Sequence, residues 1–411
     1  MQPHVVVIHQ SRGLGIPYLD RIDHVANAVT YVCVRNLLDR VPGHAAAAVA
    51  EVDDPAAIPH AVRDLAARFG VPERIVALSE RDILAAAYLR EELGVPGQRP
   101  DHALRFRDKL VMSEVVGSSG ISLPPFQAAG HGGDVAKFAE VYGFPLIVKP
   151  RLGSGSRSVV KINASEDFSA LPDLDSEPFL VQNFCPDDVG AIDGVWTGAE
   201  LGPWRASRYI GTCFEFAYEN NTMGYVEIDD TNLTPYLSDF AESVLAALSP
   251  GTPTVFHLEH FLGDSDGAPC LRFLEIGARA GGGGTPDVWR EVHGYDLLGA
   301  SIDIHLGRTP DYRPLTDGVV AGDLLIRPSI EPPCTIVGTR LDVPRAFAPY
   351  HQSVPCAGTD ITVTSGYSDI GAAFRFRGLS TAEVMTAMKH TEAGFHMECL
   401  PRDLSARIGV A

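Results

Sequence analysis

The hydrophobic pattern of the first hundred residues switches repeatedly between two periods. His4-Val5-Val6-Val7-Ile8-His9 is a short, β-branched run, which predicts a strand buried on both faces. Residues 31–34 and 74–78 repeat that signal. Between them, Ile58, Val62, Leu65 and Phe69 fall at helical spacing and stop at Gly70, predicting a helix over 56–69. A second helix is predicted over 80–93, closed by Gly94. Strands alternating with helices predict a parallel, doubly wound sheet. Gly13-Leu14-Gly15 lacks the third glycine of a dinucleotide fingerprint and Pro17 interrupts it, so it reads as a tight strand-to-helix turn.

Gln98-Arg99-Pro100-Asp101 reads as a linker into a glycine-richer region. There a helix is expected over 108–116, and another runs to Tyr142 with Asp134 as its cap. Strands are expected over 145–149, 159–162, 179–184, 191–196, 255–262 and 271–276, and later over 318–326 and 361–364. Thr234-Pro235 and Thr285-Pro286 each look like an N-cap followed by proline, opening a helix. Helices over 296–306 and 380–389 complete the pattern, with no fixed-period repeat.

Composition narrows the class. The 411 residues leave room for about two to three domains. With 45% apolar and 21% charged residues the chain can bury a core. Lys+Arg total 33 against 52 Asp+Glu, a net charge of −19, which argues against nucleic acid as partner. An anionic small ligand stays open, because backbone dipoles can override the net field locally. No apolar stretch approaches the ~18 residues of a membrane span, and no secretory leader is evident at the start. Seven scattered cysteines without a CxxC pair read as reduced thiols in a cytoplasm, with neither disulfides nor a zinc site.

Four constellations carry chemistry. Glu259 and Glu275 sit within two apolar strands flanking a Gly/Asp-rich turn; a hairpin centred on Gly267 sets them face to face. Opposed carboxylates destabilise a sheet unless a cation or a shared proton compensates, and they suit Mg²⁺. The competing reading pairs one of them with an arginine such as Arg279. Next, Gly281 to Gly284 run into the helix opened by Thr285, which offers backbone amides to an anion; a mobile loop is the alternative. Third, Lys149 ends a strand and is followed by Gly153-Ser154-Gly155-Ser156, a turn able to fold over phosphates, although it is not a Walker A loop. Only five of the 33 basic residues are lysines, and four of them, Lys109, Lys137, Lys149 and Lys161, fall within 53 positions. A compact ammonium beside phosphates is not replaced by arginine's planar fork, which tilts Lys109 and Lys149 towards function. Last, Leu180-Val181-Gln182-Asn183-Phe184 could read a purine edge or be an ordinary core strand.

In this order the segments resemble the ATP-grasp superfamily, and within it the carboxylate–amine ligases such as the L-amino acid ligases. The resemblance rests on Arg107-Asp108-Lys109, Phe144-Pro145-Leu146-Ile147-Val148-Lys149-Pro150, Phe179 to Phe184, Ile192-Asp193-Gly194-Val195, Phe256-His257-Leu258-Glu259 and Leu274-Glu275-Ile276-Gly277-Ala278-Arg279-Ala280-Gly281-Gly282. It implies an α/β fold: a Rossmann-like N-terminal domain (1–104), an ATP-grasp domain (105–309) with a mobile lid over about 110–180, and a C-terminal α/β appendage (310–411). It implies ATP and one or two Mg²⁺ ions, with Mn²⁺ as a substitute. Lys109 and Lys149 would contact phosphates beside Ser154, Gly155 and Ser156. Gln182, Asn183, Phe184 and Cys185 would frame the adenine. Glu259 and Glu275 would hold the metal, with Arg279 and Lys149 as the catalytic pair. Two positions depart from the family: Gln182 stands where many members have glutamate, and Gly277 where many have a metal-binding asparagine.

The implied reaction activates a carboxylate as an acyl phosphate and then joins it to an amine. The implied partners are a small carboxylic acid and an amine, with no nucleic acid and no membrane, and a homodimer as an open option. The substrate-facing set is Glu219, Tyr225, Arg279, Gly282 and Gly283, within a pocket wall over 209–227. Three competing readings are a biotin carboxylase-like enzyme, a nucleotide-biosynthesis ligase and a non-catalytic ATP-binding regulator.

Overall fold

The computed structural model describes residues 2–10, 15–219, 222–362 and 371–402. The predicted parallel sheet is present, in the order Ala48–Val52, Ala28–Val34, His4–His9, Arg74–Ala77. Strand alternation sends Val6 and Ile8 to one face and Val5 and Val7 to the other, and both faces are buried. Helices Ile58–Phe69 and Ile83–Leu93 supply Val62, Leu65, Ala86 and Leu89 to the first face. The second face takes Ile302 from helix Leu297–His305. Arg21 adds salt bridges to Asp303 (2.8 Å) and Asp296 (3.3 Å) across the same contact. Gly13 and Leu14 of the expected turn lie outside the described residues; Gly15 has φ +70°.

The linker expected at 98–101 is instead a helix start. Pro100 opens helix Pro100–Arg107 with Arg99 at the cap, since a proline in the first turn gives up only an amide that has no partner there. Asp108 then caps helix Lys109–Ser118, accepting from the amides of Leu110 and Val111. This helix does not belong with a lid. Its Met112 and Val116 are buried against helix Thr234–Leu248 and the large sheet. The lid-like unit is the antiparallel sheet ordered Phe126–Ala129, Phe179–Asn183, Leu146–Pro150, Val160–Ile162, with helix Gly132–Tyr142 packed on it through Val135 and Phe138.

An eight-stranded sheet forms the body, ordered Ala268–Gly277, Thr254–Ser265, Asp188–Trp196, Leu201–Ile210, Met223–Glu227, Val320–Ile326, Ala372–Gly378, His351–Ser353. Its last three strands come from the segment expected as an appendage, so that segment extends the body through ladders such as Tyr225↔Asp323. Strands Leu201–Ile210 and Met223–Glu227 form the two ends of the expected pocket wall, with helix Cys213–Tyr218 between them; Pro203 and an irregular register between Leu201 and Trp204 hide the first strand from a periodicity reading. The expected strand over 361–364 is paired at Asp360–Ile361, and its residues 363–364 lie outside the described residues.

Three expected caps shift by a position or more. Asp134 is the third residue of its helix and accepts from the amides of Gly130 and His131. Thr234 and Thr285 lie inside the first turn, after Leu233 and Gly284; the Thr234 hydroxyl donates to the carbonyl of Asp230. No helix among the described residues is long and apolar enough to cross a membrane.

Candidate active site

Glu259 and Glu275 are direct cross-strand partners, as the sequence predicts, but by a different route. The hairpin closes on the two-residue turn Asp266-Gly267, with φ of 55° and 82°, between the paired Ser265 and Ala268. That turn alone would set Glu259 against Leu274. A one-residue irregularity between Glu259 and His260 leaves Leu274 unpaired and brings Glu275 opposite Glu259.

Cations surround the pair. Lys109 Nζ lies 3.2 Å from Glu275 Oε2 and donates to the Gly153 carbonyl at 2.8 Å. Burial would raise the Glu275 carboxyl, but Lys109, Lys149 and Arg279 outweigh it and hold it down at about 2. Lys149 is buried, and burial pulls its ammonium down to about 8; Glu275 and Glu259 oppose that pull, and Lys109 reinforces it. Arg151 clamps Asp108 through two bonds of 2.9 and 2.6 Å, which ties the base of the Gly/Ser turn to the helix carrying Lys109.

Glu259 accepts from the Tyr209 hydroxyl at 2.8 Å and lies 3.5 Å from His257 Nε2. The other ring nitrogen of His257 meets Asp193 at 2.8 Å. Burial lowers this imidazole, but Asp193 and Glu259 outweigh it and raise it to about 10, so the ring is charged at neutral pH.

Two adjoining chambers meet at Lys109, residues 153–156, Tyr209, Cys213, Glu259 and Glu275. The larger, about 540 Å³, is lined by Lys149, Ser154, Gly155, Ser156, Gln182, Asn183, Phe184, Cys185 and Glu219. In it Asn183 Oδ1 is buried without a hydrogen-bond partner among the described residues, and Lys161 Nζ stands 3.9 Å from the Phe184 ring centroid. The smaller, about 110 Å³, is lined by Tyr225, Arg279, Gly282, Gly283, Asp193, Asp323, His257 and Glu80. Of the expected substrate-facing residues, Glu219 therefore falls in the larger chamber, while Tyr225, Arg279, Gly282 and Gly283 line the smaller one. The Tyr218 hydroxyl donates to the Ser156 carbonyl at 2.8 Å, joining helix Cys213–Tyr218 to the turn.

The glycine run is packed against two of the protein's own carboxylates. A Cβ on Gly281 would stand 2.5 Å from Asp193 Oδ1, and one on Gly284 2.6 Å from Asp323 Oδ1. The Gly284 amide donates to Asp323 at 3.0 Å, so the anion it meets is the protein's own. Burial raises the Asp323 carboxyl to about 6 against that hydrogen bond.

Several residues escape the sequence reading. His257 and Asp193 had a signal: His257 shares a strand face with Glu259 and pairs in register with Asp193. Glu80 and Asp323 carry no local motif, while Arg107 and Tyr209 stand in segments the sequence singles out but with no role of their own. Glu80 accepts from Arg107 Nη1 and from Arg279 Nε, each at 2.6 Å. Arg279, the candidate partner of a sheet glutamate, thus meets a carboxylate from the N-terminal domain and also helps hold the Glu275 carboxyl down.

The opposed carboxylates fit Mg²⁺. Both are hard oxygen donors, the like-charged pair gains from a cation, and the nucleotide-sized chamber beside them offers space for phosphate oxygens to complete a shell.

No protein-family model matches the sequence. The chain is 31% identical over 104 residues to an L-arginine-specific L-amino acid ligase of Bacillus subtilis, and that match spans a quarter of each protein. Its fold is similar to an L-amino acid ligase from Bacillus licheniformis, with TM-score 0.74, 18% identity and coverage of 98% of this chain and 99% of that one. It is also similar to the biotin carboxylase domain of Hydrogenobacter thermophilus 2-oxoglutarate carboxylase, solved with MgADP and bicarbonate (TM-score 0.68, 15% identity, 97% and 91% covered). The chain therefore has the fold that these L-amino acid ligase and biotin carboxylase structures share.

Proposed function

We propose that the chain is an ATP-dependent carboxylate–amine ligase acting on amino acids or a related small carboxylic acid. The observation that carries this reading is the meeting of two chambers at one carboxylate pair: a large chamber fit for a nucleotide and a small one ending at Arg279. A scaffold that only bound ATP would have no use for the second chamber.

In this reading a carboxylate oxygen of the acid attacks the terminal phosphorus of ATP, the bond to ADP breaks, and an acyl phosphate forms. The amine then attacks the acyl carbon, phosphate leaves, and the amine gives up a proton. Glu259 and Glu275 would hold Mg²⁺, which supplies charge neutralisation at the phosphates. Lys149 and Lys109 bring ammonium charge to the phosphate chain, and Arg279 orients the acid. The turn 153–156 covers the nucleotide, restrained by Lys109 through Gly153 and by Tyr218 through Ser156. Exclusion of water there protects the acyl phosphate from hydrolysis.

The test is ADP release with MgATP and a panel of acids and amines, bicarbonate included, with mass spectrometry of products. Amide products support the reading. Stimulation by bicarbonate alone would move the chain to the carboxylase side.

A further inference from the structure

Glu80 lies in the turn after strand Arg74–Ala77 of the N-terminal sheet, yet its carboxylate reaches the reaction centre. That turn follows the C-terminal end of the strand, beside His4–His9, where the strand order reverses and ligands of such sheets sit. One carboxylate oxygen takes Arg279 Nε, and the other takes Arg107 Nη1. Arg107 continues the chain of contacts by donating from Nη2 to the Leu152 carbonyl at 2.7 Å, at the base of the Gly/Ser turn. Arg279 is further fixed by Nη1 on the carbonyl of Ala280. Burial would raise Glu80, but Arg279 and Arg107 outweigh it and keep it ionised.

The same contact accounts for Gly277. A Cβ there would stand 2.9 Å from Glu80 Oε2 and 3.3 Å from Arg279 Cγ. The space that an asparagine side chain would need at 277 is filled by the Glu80 carboxylate.

We propose that Glu80 is a positioning residue that sets the orientation of Arg279 in the small chamber and couples it, through Arg107 and Leu152, to the turn that covers the nucleotide. The proposal rests on the ligase reading for its kinetic consequence, but its structural half does not. With Nε on Glu80 and Nη1 on the Ala280 carbonyl the guanidinium has a fixed orientation, which matters because small misplacement of an oriented group costs much of its effect. Gly277 belongs to the same device, since a Cβ there would press on the carboxylate and on Arg279.

The experiment uses the full chain and the variants Glu80→Gln and Glu80→Asp. Hydrogen exchange over residues 150–158 is followed with and without MgADP, alongside the melting temperature and the KM values for acid and for ATP. In Glu80→Gln the acid KM is expected to rise about tenfold or more, as for loss of a charge-assisted bond, while the ATP KM changes less than about threefold. Exchange over 150–158 is expected to speed up, and the melting temperature to stay near that of the wild type. Glu80→Asp, which keeps the charge, is expected to recover part of both effects. An unchanged acid KM, or unchanged exchange, overturns the proposal. So does a uniform loss of all functions with a lowered melting temperature in both variants, which is a purely structural role. If the wild type releases no ADP with any acid, the ligase reading fails instead, and hydrogen exchange alone then decides the coupling.

Discussion

Glu259 and Glu275 face each other because Leu274 drops out of the ladder between them and the turn. The protein thus holds two like charges at a position that a regular hairpin would not give, and sets Lys109 against one of them and Tyr209 against the other. Glu259→Gln and Glu275→Gln keep the shape and remove one charge. Each is expected to lower Mg²⁺-dependent ADP release by about 100-fold or more, as for loss of a preorganised charged group. A titration of MgCl₂ in a coupled ADP assay checks this.

Lys149 gives a pH dependence. Its ammonium titrates at about 8 in the unliganded chain, and a polyanion binds the charged form. Affinity for MgADP is therefore expected to fall as pH rises above about 8, by up to about tenfold per unit. Stability runs the other way. A lysine whose value is depressed by folding opposes folding while protonated, and that opposition is relieved as pH rises from about 8 towards its ordinary value. Calorimetric titrations from neutral to alkaline pH check the first, and thermal melts the second.

Close packing at Gly277 separates space from sequence. Gly277→Ala is expected to cost roughly 1–3 kcal/mol and to impair use of the acid, because the new Cβ meets Glu80 and Arg279. Gly338→Ala is the control: nothing among the described residues lies within 4 Å of its Cβ, and the expected change is within about 0.5 kcal/mol. Chemical denaturation of both variants gives the comparison.

The parts of the site legible in the sequence are those carried by short segments. Lys149 and its Gly/Ser turn, and the two glutamates flanking one hairpin, sit where local pattern places them. Even there, a hairpin centred on Gly267 gives the pairing without the bulge that sets it. The rest depends on contacts that no window contains. Glu80 and Arg279 are 199 positions apart, and Asp323 reaches the glycine run from a strand beyond it. The glycine run illustrates the limit: spacing suggests freedom or an anion site, whereas Asp193 and Asp323 crowd the Cβ positions of Gly281 and Gly284. The C-terminal segment was legible as strands and a helix, but its partner sheet was not, because antiparallel ladders between distant segments leave no periodic trace.

Asp82, which precedes helix Ile83–Leu93, offers a stability test. Asp82 is buried, and burial raises its carboxyl to about 7 although Gln10 donates to it. A carboxyl raised by folding opposes folding once it is ionised: the penalty grows as pH rises through its unfolded value and is complete above about 7. Asp82→Asn is expected to be more stable than the wild type by roughly 1–3 kcal/mol above pH 7. The difference is expected to shrink towards pH 4. Denaturation curves across that range check both sign and window.

The most direct measurement follows ADP formation and product mass in one reaction, with MgATP, one amino acid and one amine, omitting each in turn. The expected result is ADP formed in proportion to a new amide whose mass is the sum of acid and amine less water, and loss of both in Lys149→Ala. ADP formation that needs no acid, or that proceeds at the wild-type rate in Lys149→Ala, would contradict the account.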